Sequence, residues 1–275
     1  MQNKKKAITS SAVAISVLVI AQLVSQILAS TFLTIGFPAW ICNILAGVLY
    51  AGTVYGIFML WLERKEELAL SNFGMPKFHI EGRWLFKGLL LPAVVVAVYL
   101  LMVPGEYVIS QMGEEEALQR FSAGIFYTGI AAGFVEEMVF RGVILHLVEK
   151  AWSRRTAIFV PSVLFGFVHI LGNDYSLGSS FLVVLAGTVA GVMFSLIALE
   201  SGSVWNSGIV HCLWNIVIRG GFLTIGEAAD GTSFVSYILH TSSFALTGGD
   251  FGIESSVIAL LGYMIAAGSA IRRRK

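Results

Sequence analysis

Eight apolar segments, read as membrane-crossing helices of about 20 residues each, constrain this chain more than any other feature of its sequence. Their approximate bounds are 7–31, 39–62, 84–103, 121–148, 156–171, 177–199, 204–225 and 253–271. A soluble domain carries about 25% charged residues, whereas this chain of 275 residues has 13% charged and 56% hydrophobic residues. The sequence therefore predicts an all-α, polytopic integral membrane protein with eight transmembrane helices.

The segments between these helices predict one domain, 1–275, and a definite orientation in the membrane. When both termini are placed in the cytoplasm, all the basic residues except Arg120, Arg141 and Arg219 fall on the inner side. This agrees with the rule that cytoplasmic loops carry an excess of Lys and Arg. Residues 63–83 are too charged to span, and their apolar side chains predict a segment on the membrane surface. Those side chains are Leu68, Leu70, Phe73, Met75 and Phe78.

Two adjacent carboxylates and an arginine interrupt the fourth apolar segment. Ionisable residues at membrane depth are costly and mark functional sites. Glu137 and Arg141 are four residues apart, hence on one helical face, and we expect an ion pair between them. Glu136 lies about 100° away around the helix and needs a partner from another helix.

The fifth and seventh segments carry polar residues at the same helical spacing. Phe165 and His169 are four residues apart, as are His211 and Asn215. A helix bundle can bring Glu136, His169, His211 and Asn215 around one interior cavity. A carboxylate and an imidazole facing one water can act as a general base, while a second imidazole and an amide can stabilise an oxyanion. These parts suffice for a hydrolase that uses water directly.

Other readings of the same residues remain open. Glu136, His169 and His211 are also a plausible zinc set, although the sequence has no His-Glu-x-x-His segment. A lone histidine in an apolar helix is more often a packing residue. Cys42 and Cys212 are read as small buried hydrophobes, and Arg219 either extends to the membrane interface or binds a substrate carboxylate.

Taken together, Glu136-Glu137-x-x-x-Arg141, Phe165-x-x-x-His169 and His211-x-x-x-Asn215 resemble the CPBP family of CAAX proteases and bacteriocin-processing enzymes, also called Abi proteins. The resemblance covers about residues 120–225, with looser agreement around Phe73 and Gly74. It implies an intramembrane endopeptidase acting on prenylated proteins in eukaryotes, and a role in maturation of, or immunity to, secreted peptides in bacteria.

The resemblance also implies roles for the individual residues. Glu136 and His169 would activate water, His211 and Asn215 would form the oxyanion hole, and Glu137, Arg141 and Phe165 would support them. Family members are often named metalloproteases. The glutamate-activated mechanism without a cofactor is favoured here, with zinc as the alternative.

The expected partners are a peptide or lipidated-protein substrate and membrane lipid, with no nucleic acid, and the expected location is a bacterial cytoplasmic membrane. Two other function classes use the same residues. One is a non-proteolytic membrane regulator or bacteriocin-immunity protein of the same fold. The other is a proton-coupled transporter, since Glu and His chains also relay protons, but no repeat symmetry supports it.

Overall fold

The computed structural model describes residues 2–65 and 69–271, and each of the eight predicted segments contains a helix. The fifth segment leaves the helix after Val168, and the seventh leaves it after Arg219 and ends in a strand. The first three helices are α1 (Gln2–Thr34), α2 (Ala39–Lys65) and α3 (Gly82–Met102). The last helices are α7 (Arg154–Val168), α8 (Leu177–Ser201), α9 (Val204–Trp214), α10 (Phe244–Thr247) and α11 (Val257–Ile271), where α10 is a single turn between segments. By length and composition, α1, α2, α3 and α8 can cross a membrane.

The fourth segment is one continuous helical run, 114–151, which we call the motif helix. It alternates α-helical and π-helical stretches: α4 (Glu114–Ser122), π Ala123–Ala131, α5 (Ala132–Glu137), π Met138–Ile144 and α6 (Leu145–Ala151). A third π-helical stretch, Asn215–Arg219, follows α9 directly. π-Helical turns are rare and concentrate at functional sites, and here two of the three adjoin residues that the sequence singles out.

A small three-stranded sheet accompanies the helices and corrects the all-α prediction. Its strands are β1 (Gly105–Ile109), β2 (Leu223–Gly226) and β3 (Val235–Leu239), in the order β1-β3-β2. β3 pairs antiparallel with β1 and parallel with β2. These strands are only four or five residues long, and β1 pairs with residues far away in the chain. No local sequence pattern therefore predicts them.

The segment predicted to lie on the membrane surface is partly drawn into the protein. Phe73 and Met75 are buried in the core, whereas Phe78 is exposed. Gly74 has φ +66° and lies against the ring of His146, a histidine for which the sequence indicated no role. Leu68 and the basic residues 272–275 lie outside the described residues.

Glycines let the site-bearing helices approach closely. A β-carbon on Gly133 of α5 would lie 2.9 Å from the backbone nitrogen of Cys212 on α9, and one on Gly191 of α8 would lie 2.8 Å from Cα of Ser162 on α7. Small residues at such contacts are typical of membrane helices. The backbones of α5 and α9 therefore meet where Glu137 and His211 face each other.

Gly133→Ala is expected to lower the free energy of unfolding by about 1–3 kcal/mol, because the added methyl group forces α5 and α9 apart. Thermal unfolding in detergent measures this. Gly52→Ala on α2 is the matched control, since a β-carbon there has no neighbour within 4 Å. Equal melting temperatures for the two variants would contradict the close contact.

Candidate active site

The two adjacent glutamates occupy different environments at the end of α5. The side chain of Glu137 is completely buried, whereas that of Glu136 is 21% exposed and lines a cavity. Oε2 of Glu136 is buried and has no hydrogen-bond partner among the described residues. Glu136 is thus the carboxylate that faces the cavity, whereas Glu137 contacts only other residues of the protein.

The predicted pair between Glu137 and Arg141 is present. Nη1 of Arg141 donates to Oε1 of Glu137 at 2.9 Å, and both side chains have no exposed surface. The guanidinium carbon also lies 4.4 Å from the ring centroid of Phe165 and 5.3 Å from that of Phe194. An aromatic face stabilises a desolvated cation, so Phe165 supports the ion pair as well as lining the cavity.

His211 contacts both glutamates, a link that the sequence did not reveal. Its Nδ1 is 3.1 Å from Oε1 of Glu137, and its Nε2 is 3.7 Å from Oε2 of Glu136. The imidazole stacks on Phe194 with 4.5 Å between ring centroids. Glu137 therefore orients the ring in addition to neutralising Arg141. No spacing rule relates residues 137 and 211, which only the packing of α5 on α9 brings together.

His169 lies one residue beyond α7, where the chain turns out of the helix. Its Nδ1 is 2.6 Å from the backbone oxygen of Phe165, and the two rings meet edge to face. A histidine whose Nδ1 is held by a carbonyl has its other nitrogen, Nε2, free for a substrate, water or metal. Phe165 and His169 are therefore in contact, as their four-residue spacing predicts, although α7 ends at Val168.

Asn215 begins the π-helical stretch after α9 and reaches the motif helix. Its Nδ2 donates to the backbone oxygen of Thr128 at 3.1 Å, which leaves the second amide hydrogen for another acceptor. The structure thus gathers Glu136, His169, His211 and Asn215 around one cavity of about 480 Å³.

Arg219 also lines this cavity, one helical turn beyond Asn215. Its Nη1 forms an ion pair with Oε1 of Glu254 at 2.8 Å, and the other oxygen of Glu254 accepts from the indole of Trp214. Arg219 is therefore held by a carboxylate of the protein. The sequence had suggested the membrane interface or a substrate carboxylate for Arg219, but not Glu254.

A loop before α11 closes one side of the cavity with Phe251. Its ring lies 6.1 Å from that of His169 and 6.0 Å from that of Tyr175. The preceding residue, Asp250, accepts from the backbone N–H of Ser176 at the start of α8. This hydrogen bond, and those of the Ser179 and Ser176 hydroxyls, lower the pKa of Asp250, so the carboxylate that anchors the loop is ionised at neutral pH.

The residues suggested as zinc ligands do not form a metal centre in this structure. In the ranges 2–65 and 69–271, no group of three His, Cys, Asp or Glu residues is placed to hold one metal ion. The contacts of Nδ1 with Phe165 in His169 and with Glu137 in His211 leave Nε2 of both histidines for water, substrate or metal, and do not decide between the two mechanisms.

Residues 117–217 match the family model described as type II CAAX prenyl endopeptidase Rce1-like. The matched segment contains all three motifs, and the resemblance drawn from them is confirmed over this part of the chain. No curated protein and no solved structure matches the chain. Over these residues the chain is similar to CAAX-type endopeptidases, and the match together with the apolar helices indicates a membrane protein.

Proposed function

We propose that this protein is an intramembrane endopeptidase that hydrolyses a peptide bond with water activated by Glu136 and His169. One observation carries the proposal: Glu136, His169, His211 and Asn215, from three separate segments, line one cavity. Glu136 is its partly exposed carboxylate without a hydrogen bond to its buried oxygen. Such a carboxylate is a ready acceptor for a proton of water.

In the proposed reaction, water attacks the carbonyl carbon of the substrate peptide and gives up a proton to Glu136, with His169 as the second acceptor. The oxyanion receives hydrogen bonds from Nε2 of His211 and from the second amide hydrogen of Asn215. Collapse breaks the C–N bond, and the proton held by the base passes to the leaving amine. The products are a carboxylic acid and an amine, with no covalent enzyme intermediate.

The hydrogen bond between His211 and Glu137 determines which protonation state His211 must have to donate to the oxyanion. Donation from both ring nitrogens requires the imidazolium form. Its positive charge would lie between Glu137 at 3.1 Å and Glu136 at 3.7 Å, where two carboxylates stabilise it. Glu137 acts as a positioning residue because it holds Nδ1 of His211, and Arg141 acts through Glu137, to which it donates.

For topology and substrate, we propose eight crossings in one domain with both termini in the cytoplasm of a bacterium. The substrate is a membrane-associated, lipidated or small peptide that enters the cavity in an extended form. Exposed apolar side chains on α1 and α3, such as Ile20, Ile27, Phe86 and Leu101, suit contact with lipid chains. The substrate then reaches the catalytic cavity from within the membrane.

A reconstituted assay with a chelator tests the mechanism. Purified protein in liposomes is expected to cleave a fluorogenic peptide, and to keep its activity after treatment with 1,10-phenanthroline and removal of the chelator, because no step uses a metal. The inactive Glu136→Gln variant is the background control. Loss of activity on chelation and its recovery with Zn²⁺ would replace glutamate activation by a zinc mechanism, and no cleavage of any peptide would contradict the peptidase.

A further inference from the structure

A second cavity, of about 370 Å³, adjoins the catalytic cavity. Four residues line both: Thr128, Arg219, Phe251 and Glu254. The ion pair between Arg219 and Glu254 therefore stands where the two cavities meet. The two cavities are therefore adjacent, with this ion pair between them.

The acidic residues of the second cavity already have donors within the protein. Asp230 accepts from the backbone and hydroxyl of Thr232 at 2.8 and 2.6 Å, and its other oxygen accepts from Thr224 at 3.4 Å. Glu254 is shared by Arg219 and Trp214. Neither carboxylate therefore needs a cation from a ligand.

Arg120, in the last turn of α4, is the contrasting charge in this cavity. Its Nε is buried and without a hydrogen-bond partner, although the side chain as a whole is half-buried. Burial raises the pKa of Asp230 in the same cavity, but the hydrogen bonds of Asp230 and the charge of Arg120 lower that pKa overall. No carboxylate among the described residues lies within ion-pair distance of the Arg120 guanidinium. A buried charged donor left unpaired is costly. A planar guanidinium is well suited to bind a carboxylate through two hydrogen bonds.

We propose that the second cavity is a subsite for a carboxylate of the bound peptide, held by Arg120. The inference rests on the proposed peptidase function and names a specificity determinant for it. Arg120 and Glu136 lie on the one motif helix, and their backbones are about 24 Å apart along its axis at 1.5 Å per residue. An extended peptide covers that distance in about seven residues, so the carboxylate lies within about seven residues of the cleaved bond.

Two carboxylates can satisfy this chemistry: the α-carboxylate at the end of a peptide, or an acidic side chain within it. Binding to the Glu136→Gln variant in nanodiscs separates them. The probes are dye-labelled apolar octapeptides. One pair ends in a carboxylate or a carboxamide, and the other, both amidated, carries Glu or Gln at the seventh position. At least one carboxylate-bearing probe is expected to bind about tenfold more tightly than its neutral partner.

Substitutions of Arg120 then assign this preference to the second cavity. Adding Arg120→Gln to the Glu136→Gln background is expected to abolish the preference and leave the affinity of the neutral probes unchanged, and Arg120→Lys to retain part of it. Arg154→Gln, which removes a surface arginine at the start of α7, is the matched control and is expected to keep the full preference.

Equal affinity for charged and neutral probes, no binding of either, or a preference that survives Arg120→Gln would overturn the subsite. The outcome is independent of the peptidase assay. A carboxylate preference lost with Arg120, in a protein that cleaves no peptide, would retain the subsite and reject the proteolytic function. Cleavage without any such preference would do the reverse.

Discussion

Glu136→Gln is expected to reduce kcat/KM for peptide cleavage by about 10³-fold, since removing a general base typically costs a factor of 10²–10⁴. The amide keeps the size of the side chain but cannot accept a proton from water. KM is expected to change little, because the carboxylate acts on water rather than on the substrate. The measurement is steady-state cleavage of a fluorogenic peptide in liposomes.

The same substitution is expected to leave the protein folded, with an unchanged or higher melting temperature. Oε2 of Glu136 is buried without a hydrogen bond, so replacing the carboxylate by a neutral amide removes a desolvated charge. His211, 3.7 Å from Glu136, keeps its closer contact with Glu137 at 3.1 Å. Gain of stability on loss of function is typical of an active-site residue. A Glu136→Gln variant that retains wild-type activity would show that Glu136 is not the base.

Glu137→Ala is expected to lower the free energy of unfolding by about 3–5 kcal/mol, the usual cost of breaking a buried ion pair. Arg141 has no exposed surface, and Glu137 is its carboxylate partner among the described residues. Nε and Nη2 of Arg141 have no hydrogen-bond partner there, so no second acceptor replaces the lost one. Yield of folded protein and thermal unfolding in detergent measure the effect.

A double variant separates the two tasks of Glu137. Glu137→Met with Arg141→Met removes both charges and is expected to recover most of the lost stability, because well-packed apolar residues can replace a buried pair. It is expected to stay inactive, since Nδ1 of His211 loses the oxygen 3.1 Å away. Full activity in the double variant would confine Glu137 to neutralising Arg141.

The sequence predicts local relations at this site well. The Glu137–Arg141 pair and the contact between Phe165 and His169 follow from spacings of four residues, because a helix, or a helical turn, brings such residues together. In each case the interacting residues are close in the sequence, so their spacing alone places them together. The apolar runs also predict the positions of the long helices α1, α2, α3 and α8, whereas the seventh run, 204–225, extends past its helix into β2.

Relations between distant segments could not be predicted. His211 meets Glu137 because Gly133 lets α5 approach α9, and Arg219 meets Glu254 because the loop before α11 folds back on the π-helical stretch after α9. The small sheet pairs residues 105–109 with 235–239. No periodic pattern within one segment records which partner lies opposite, since that depends on how the helices pack.

The π-helical stretches are a further feature that the apolar pattern conceals. A regular α-helix, as the apolar pattern predicts, would lack the wider turns at Met138–Ile144 and Asn215–Arg219. Such turns redirect side chains. Here they lie beside Glu136 and begin at Asn215, the two cavity residues whose directions most affect the proposed chemistry.

The division of labour between the two glutamates is tested most directly by measuring activity per mole of folded protein for wild type, Glu136→Gln and Glu137→Ala in one set of liposome preparations. We predict that Glu136→Gln is as abundant and as stable as wild type yet nearly inactive, and that Glu137→Ala is scarce and unstable. Wild-type activity in Glu136→Gln, or wild-type stability and activity in Glu137→Ala, would contradict it.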